Sequence, residues 1–345
     1  MTNSNAQNSQ PASPMIAFVE LTSGFWITQA MSVAARLGVA DIIKEETKSV
    51  DELAQAIDTD ARSLYRLLRS LASVGVFNEV EPGQFALTPI GQYMRSDNLY
   101  SLRDLAIMHG DDWHWRSLGE MYRKLKEGKP AIHYVYGVNS YWEYLAQNPE
   151  PQSHFNKGMI AVAKNFHTPF IESYDFSGFT KVVDVAGGVG TVMSCILKAN
   201  PHLQGILFDM PQTVADAAKF LEEQGVGDRC QRESGDIFKS VPAGGDLYIM
   251  SYIMADWDDR SCLTVLNNVR SAIAENGKLL VIDSIIPPRN EYSWIKWLDL
   301  FELSMGYGGP RTQEEFDAIF QKAGFHRVQT LTMNTPCSVM ELAPA

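Results

Sequence analysis

The chain has 345 residues, 45% of them hydrophobic, and a formal net charge of -12 at pH 7, enough length for two domains and enough apolar material for a sizeable core. That acidic balance argues against an extended nucleic-acid surface and against docking on an anionic membrane, both of which need clustered Lys and Arg. Cys195, Cys230, Cys262 and Cys337 lie far apart without a CxxC pair, which fits neither a zinc site nor a disulfide framework and points to reduced thiols in a cytoplasmic protein.

Residues 1–14 are polar and lack the basic and apolar regions of a signal peptide, so they read as a short disordered tail. No apolar run approaches the length of a membrane span. From 15 to 102 the pattern is helical with short turns. FWITQAMSVAARLGVADII has apolar residues at helical spacing, with Gly38 ending one helix. SVDELAQAI starts with Ser49 as N-cap and Glu52 three residues later, a capping box. A further helix follows at DARSLYRLLRSLASVG after the turn at Asp58–Asp60, and FNEVEPGQFALT reads as two short strands around Pro82–Gly83. Helix, turn, helix and hairpin together make a winged helix. Its second helix carries Arg62, Arg66 and Arg69, but Asp51, Glu52, Asp58, Asp60, Glu79 and Glu81 surround it, which favours a structural or dimerisation role over DNA contact.

Residues 103–175 are helical again and rich in aromatics, at HGDDWHW, YVYG and SYWEYL. His109, Trp113, His114 and Trp115 mix polar and aromatic groups within about one turn; a substrate-pocket wall and an interface both use this mixture. From 176 to 345 strands alternate with helices, the pattern of a parallel α/β sheet with ligands at the carboxyl ends of its strands. The strand segments are TKVVDV, LQGILFDM, DLYIMSYIM, GKLLVIDSII, HRVQTLTMN and SVMELA, with another strand before Gly235. Helices are expected at TVMSCILKA, VADAAKFLEEQG, RSCLTVLNNVRSAIA and TQEEFDAIFQKAGF.

The stretch Val182–Gly190 runs from an apolar strand through Gly187, Gly188 and Gly190 into a helix, the context of a nucleotide-binding turn. A dinucleotide site is the competitor, but Met193 occupies the position where that pattern needs a small residue. Asp184, just before the turn, would repel a pyrophosphate and attract a cationic group, which favours a cationic nucleoside ligand. Asp209, about twenty residues on at the end of the next strand, is placed for both ribose hydroxyls; its other reading is a cap before Pro211. In Gly235–Asp236–Ile237–Phe238, Asp236 is a candidate acceptor for an adenine amino group and Ile237 or Phe238 a candidate wall for the base.

These residues resemble the plant-type small-molecule O-methyltransferases and their bacterial relatives in secondary metabolism. LVADII, the winged helix, DVAGGVG, FDMP, GDIF, DWDD, GGPRT, EEF and AGF carry the resemblance in that order over nearly the whole chain after the tail. It implies a Rossmann-like S-adenosylmethionine (SAM)-binding domain, an N-terminal mostly helical domain that forms a homodimer, and a small-molecule acceptor. It carries SAM-binding roles onto Gly187, Gly188, Asp209, Asp236 and Ile237. The family's general-base histidine, before the Asp-Trp pair, is here Ala255; an acid that would orient it is Asp283, a second acid is replaced by Pro310, and a lysine that the plant enzymes place near the cofactor is Ser251.

Methyl transfer from a sulfonium gains most from positioning the acceptor and excluding water. Without the histidine, the expected acceptor shifts toward an acidic phenol, an enol or a nitrogen, or a base comes from elsewhere. The candidates are His109, which titrates near neutrality or serves only as a structural histidine, Asp256, also readable as an acid at a helix N-terminus, and Asp283. His202 and His326 sit in surface-like contexts, His133, His154 and His167 show no partner pattern, and no cluster has metal-ligand spacing. O-methylation of an aromatic or polyketide-like metabolite is the leading expectation. The alternatives are N-methylation of a heterocycle, a SAM-binding enzyme of non-methylating reaction such as cyclisation, and a non-enzymatic DNA-binding or scaffold dimer.

Overall fold

The computed structural model describes residues 13–345. The expected tail at 1–14 lies outside the described residues except for its last two. Ser13 caps the first helix by accepting from the Ile16 amide, and Pro14 opens it, where its fixed φ and missing N–H suit a helix start. The chain divides into two compact units. One runs up to His114 and includes Ser153–Ala161; the other comprises Trp115–Gln152 and Val162–Ala345.

The first unit contains α1 (Pro14–Ser23), α2 (Phe25–Leu37), α3 (Val39–Ile43), β1 (Lys48–Ser49), α4 (Val50–Ala56), α5 (Ala61–Ser73), β2 (Phe77–Glu81), β3 (Gln84–Leu87) and α6 (Arg103–His109). Its local signals are realised. Gly38 sits at φ +69 between α2 and α3, a left-handed stop that glycine takes without strain. Ser49 and Glu52 form the reciprocal capping box of α4, and Asp60 caps α5. The three strands form one antiparallel sheet in the order β1-β3-β2. Leu53, Leu64, Leu68, Leu71, Phe77 and Phe85 fill the core. α1 buries none of its residues.

The segment 103–175 is helical as expected and is shared between the units. After α6 come α7 (Asp112–Gly119), α8 (Met121–Glu127), α9 (Ala131–Tyr136), α10 (Tyr141–Gln147) and α11 (Pro149–Val162), the last running into a π-turn at Ala163–His167.

The rest of the second unit is β4 (Lys181–Val185), α12 (Thr191–Ala199), β5 (Gln204–Asp209), α13 (Pro211–Glu223), β6 (Cys230–Ser234), β7 (Leu247–Ser251), α14 (Asp259–Ala272), β8 (Lys278–Asp283), α15 (Trp294–Met305), α16 (Gln313–Lys322), β9 (Phe325–Thr332) and β10 (Ser338–Pro344). The strand order is β6-β5-β4-β7-β8-β10-β9. Helices cover both faces, packing one core around Val183, Met250, Leu266 and Phe316 and another around Val182, Met193, Leu207 and Leu221. Between β4 and β7 the order reverses, the place where sheets of this kind bind ligands beyond the carboxyl ends of their strands.

The sheet corrects the expectation of a fully parallel arrangement. β6, β5, β4, β7 and β8 are parallel, but β10 is antiparallel to both β8 and β9. Only residues 333–337 separate β9 from β10, far fewer than a parallel crossover requires. β7 also stops at Ser251 instead of continuing through Met254, because Tyr252 turns the chain at φ +58. The apolar run continues only because the following loop is buried at Ile253–Ala255. α15 was missed in the sequence pattern, although Ser293 caps it by accepting from the Ile295 amide.

Candidate functional site

The glycine turn leaves β4 through Ala186 at φ +56, Gly188 at φ +61 and Gly190 at φ +89. A Cβ on Gly187 would stand 2.5 Å from both the Asp184 carboxyl and Leu207 Cδ1, whereas one on Gly188 would meet nothing within 4 Å. Gly187 is therefore the packed glycine of the turn, and Gly188 has open space before it. Met193, the residue too large for a dinucleotide turn, fits because the next strand holds Gly205; its Sδ is 2.7 Å from where a Gly205 Cβ would stand.

Asp184 is buried beneath this turn, and neither of its carboxylate oxygens has a hydrogen-bond partner of normal geometry. Burial, reinforced by the Asp209 charge and only partly opposed by the Met193 amide, pushes it up to about 7. An unpaired buried carboxyl is expensive, and a cationic ligand relieves it. Asp209, at the end of β5, accepts from the Gly188 amide at 2.8 Å and the Met210 amide at 2.7 Å, and burial raises its pKa. Asp236 accepts from the Phe238 amide at 2.9 Å, and Asn268 donates to the Ile237 carbonyl at 2.7 Å, so the loop after β6 is fixed at both ends. Phe238 meets Trp257 edge-to-face, with ring centroids 4.8 Å apart. Ser251, ending β7, pairs its Oγ with His167 Nδ1 at 2.9 Å.

Asp184, Gly188 and Asp209 thus converge at the ends of adjacent strands, with Asp236 and Ser251 at the ends of the strands flanking them. An acid without a partner, an open glycine and a carboxylate for hydroxyls form a donor and acceptor set that fits SAM. Asp184 and the glycine turn would hold its cationic end, Asp209 its ribose and the Asp236–Phe238 loop its adenine.

A second constellation lies on the loop after β7. Asp256 is not the N-terminal acid of α14, because Asp258 caps that helix by accepting from the Ser261 amide at 2.8 Å. Instead Asp256 turns inward and accepts from the Tyr141 hydroxyl at 2.9 Å. Burial pushes Asp256 up to about 7, with the Tyr141 hydrogen bond opposing and the Asp283 charge adding to the rise. Asp283 is fully buried at the end of β8. It accepts from the Ser284 amide at 2.7 Å and the Ala255 amide at 3.2 Å, and burial drives it too up to about 7. Glu302 of α15 lies well above the usual carboxylate range, through burial and then the charges of Asp256, Asp283 and Asp299.

Arg311 holds this loop in place. Its guanidinium donates to the Met254, Gly309 and Trp257 carbonyls at 2.6, 3.2 and 2.8 Å and pairs with Asp259 at 2.9 Å. Gly308 presses on the same loop, since a Cβ there would stand 2.2 Å from the Ala255 carbonyl oxygen. His109 belongs to the first unit, Asp256 and Asp283 to the second. Burial lowers the His109 pKa, and its ring lies 6.0 Å from that of His114.

Sequence reasoning missed Tyr141, His167, Glu302 and Arg311. Arg311 stood in GGPRT, where its link to a buried acid loop could have been suspected; the others had no local signal. Among the described residues, no group of His, Cys, Asp and Glu is arranged to hold a metal ion, and no helix is long and apolar enough to cross a membrane.

Comparison with known proteins decides the family. Residues 115–326 match the O-methyltransferase domain and residues 19–97 the O-methyltransferase dimerisation domain. The chain belongs to the O-methyltransferase family. It is 38% identical over 344 residues to the phenazine O-methyltransferase PhzM of Lysobacter antibioticus, covering 100% of both chains. The solved structure of CalO1, a methyltransferase in calicheamicin biosynthesis in its SAH-bound form, superposes with a TM-score of 0.87 at 30% identity, covering 98% of this chain and 100% of that one. A phenazine-1-carboxylate N-methyltransferase of Pseudomonas aeruginosa is 30% identical, covering 92% of this chain and 94% of its own. This O-methyltransferase uses SAM as its methyl donor.

Proposed function

We propose that this O-methyltransferase methylates a hydroxyl of a planar aromatic metabolite, with Asp256 taking the hydroxyl proton. The observation that carries the proposal is the Tyr141-bound Asp256, held at about 7 beside the position where the family's histidine is replaced by Ala255. A base is most effective when its pKa lies near the working pH, which is what a histidine ordinarily supplies. Bound SAM supplies an electrophilic methyl on a sulfonium. Asp184, Gly187, Gly188, Gly190, Asp209, Asp236, Ile237, Phe238 and Ser251 are assigned to holding it. Asp283 acts through the loop, fixing the Ala255 amide, and the half-buried His109 is read as structural. Similarity to the phenazine enzyme supports a fused-ring acceptor.

The test is incubation with SAM and a panel of hydroxyphenazines and hydroxybenzoates. The expected result is S-adenosylhomocysteine release with one added methyl on oxygen by mass spectrometry and NMR, lost in Asp256→Asn. A nitrogen acceptor is the second reading, favoured by Ala255 and by similarity to the N-methyltransferase; NMR of a labelled methyl separates the two.

We assign 15–102 to dimer formation, 103–175 to the acceptor pocket and 176–345 to SAM binding and catalysis. The helix–turn–helix and hairpin of α4, α5, β2 and β3 are read as a winged helix used for pairing. Phe18, Leu21 and Trp26 on α1 and α2 are 68%, 79% and 64% exposed, an apolar surface of the kind a homodimer interface covers. The free cysteines support a cytoplasmic setting.

A further inference from the structure

His167 sits at the end of the π-turn after α11, buried, its ring stacked on Tyr252 with centroids 4.6 Å apart and planes 16° off parallel. Its Nδ1 lies 2.9 Å from Ser251 Oγ, while its Nε2 is buried without a hydrogen-bond partner. Those two facts fix the proton. A buried N–H without an acceptor is more costly than a bare lone pair, so the hydrogen belongs on Nδ1, where Ser251 Oγ accepts it. Burial keeps the ring neutral, with its pKa down at about 3. The Ser251 hydroxyl hydrogen is then released from His167 and free to point elsewhere, at the carboxyl end of the strand beside the glycine turn.

We infer that His167 is a positioning residue that turns Ser251 into a hydrogen-bond donor for the carboxylate of SAM's methionine end. The inference rests on the SAM-site reading above and extends it. Charge supports it, because Asp184, Asp209 and Asp236 give the site three acids, and the one anionic group of the cofactor needs a donor. Tyr252 completes the arrangement: its left-handed backbone ends β7 and turns its ring under His167, while its hydroxyl pairs with Ser284.

The test is calorimetric affinity for two probes, S-adenosylhomocysteine, which has the carboxylate, and 5′-methylthioadenosine, which lacks it. Ser251→Ala and His167→Phe should each weaken S-adenosylhomocysteine roughly tenfold or more and leave methylthioadenosine within about twofold. The double variant should lose no more than either single one, since both remove the same bond. His167→Asn, whose amide reaches the Nδ1 position, should retain most of the affinity. Equal losses for both probes, or additive losses in the double variant, would overturn the inference. Should His167→Phe not fold, Ser251→Ala and His167→Asn still decide it through the two probes. Failure of the unsubstituted protein to bind either probe would instead sink the SAM-site reading itself.

Discussion

Binding of S-adenosylhomocysteine should expel a proton from Asp184. The carboxyl has a folded-state pKa raised to about 7, against about 3.9 in an unfolded chain. Its sign is therefore opposite to that of a salt-bridged acid: in the cofactor-free protein, ionising Asp184 opposes the fold, and stability falls as pH rises from about 4 to about 7. A cofactor that brings an ammonium group to this carboxyl favours the charged form and lowers the pKa. With a starting value of about 7, Asp184 holds ~0.9 of a proton at pH 6, ~0.5 at pH 7 and ~0.1 at pH 8. Those are the upper limits of proton release per site. Calorimetry in paired buffers that hold the pH but differ widely in ionisation enthalpy, MES and imidazole at pH 6 and phosphate and Tris at pH 8, reads the release directly as a difference in apparent enthalpy. The difference should be large at pH 6, shrink by pH 8 and vanish in Asp184→Asn. An enthalpy independent of buffer at pH 6 would refute the reasoning, as would full proton release in Asp184→Asn.

The two central glycines should fail in different ways. Gly187→Ala drives a methyl into Asp184 and Leu207 and should destabilise by about 1–3 kcal/mol, visible in thermal melting; Gly188→Ala meets open space but a left-handed backbone, so about 1–2 kcal/mol of strain comes with a larger loss of cofactor affinity by titration. Arg311→Ala strips donors from three loop carbonyls and should destabilise by about 3–5 kcal/mol in denaturant melts. Tyr141→Phe removes the bond that stabilises ionised Asp256, so the limb of the kcat/KM profile governed by the base should move up by about 0.5–1 pH unit; an unmoved profile speaks against Asp256 as base. Trp26→Glu should shift a dimer to monomers in light scattering, whereas an unchanged mass would place the interface elsewhere.

Legibility in the sequence followed distance along the chain. Gly38 and the Ser49–Glu52 box act within one turn of backbone, and each formed where its residues predicted; the turn at Asp58–Asp60 was expected too, and in the structure Asp60 caps α5. The glycine turn and Asp209 were readable for the same reason, since both sit at strand ends announced by their own apolar runs. Direction of pairing was not: β10 depends on which edge strand reaches β8, and apolar alternation is the same for either direction. Asp256 shows the limit most clearly. Its neighbours Asp258 and Asp259 supply the helix-start chemistry, and its own partner Tyr141 is 115 residues away. His167 and Ser251 are 84 residues apart, and no period in either segment links them.

On the proposed reading, Asp256 stands in for the missing histidine, and what tunes it is not written in the neighbouring sequence. A histidine provides a group that titrates near neutrality by its own chemistry, whatever surrounds it. An aspartate reaches the same range only through its surroundings, and here burial and the neighbouring Asp283 raise it while the Tyr141 hydroxyl limits the rise. Such an arrangement demands that the loop not relax toward water, because relaxation would return Asp256 to an ordinary, weakly basic carboxylate. Arg311 and Gly308 meet that demand from the far side of the loop, one by bonding its carbonyls and the other by leaving no room to move back. Arg311 spends its donors on backbone carbonyls and the exposed Asp259, so no direct ion pair forms with Asp283 or Asp256. Had Arg311 paired directly with either acid, the pKa would have dropped and Asp256 would no longer titrate near neutrality. Substituting Ala255 by histidine beside an intact Asp256 would set two bases in competition, and the pH profile would report which one the acceptor uses.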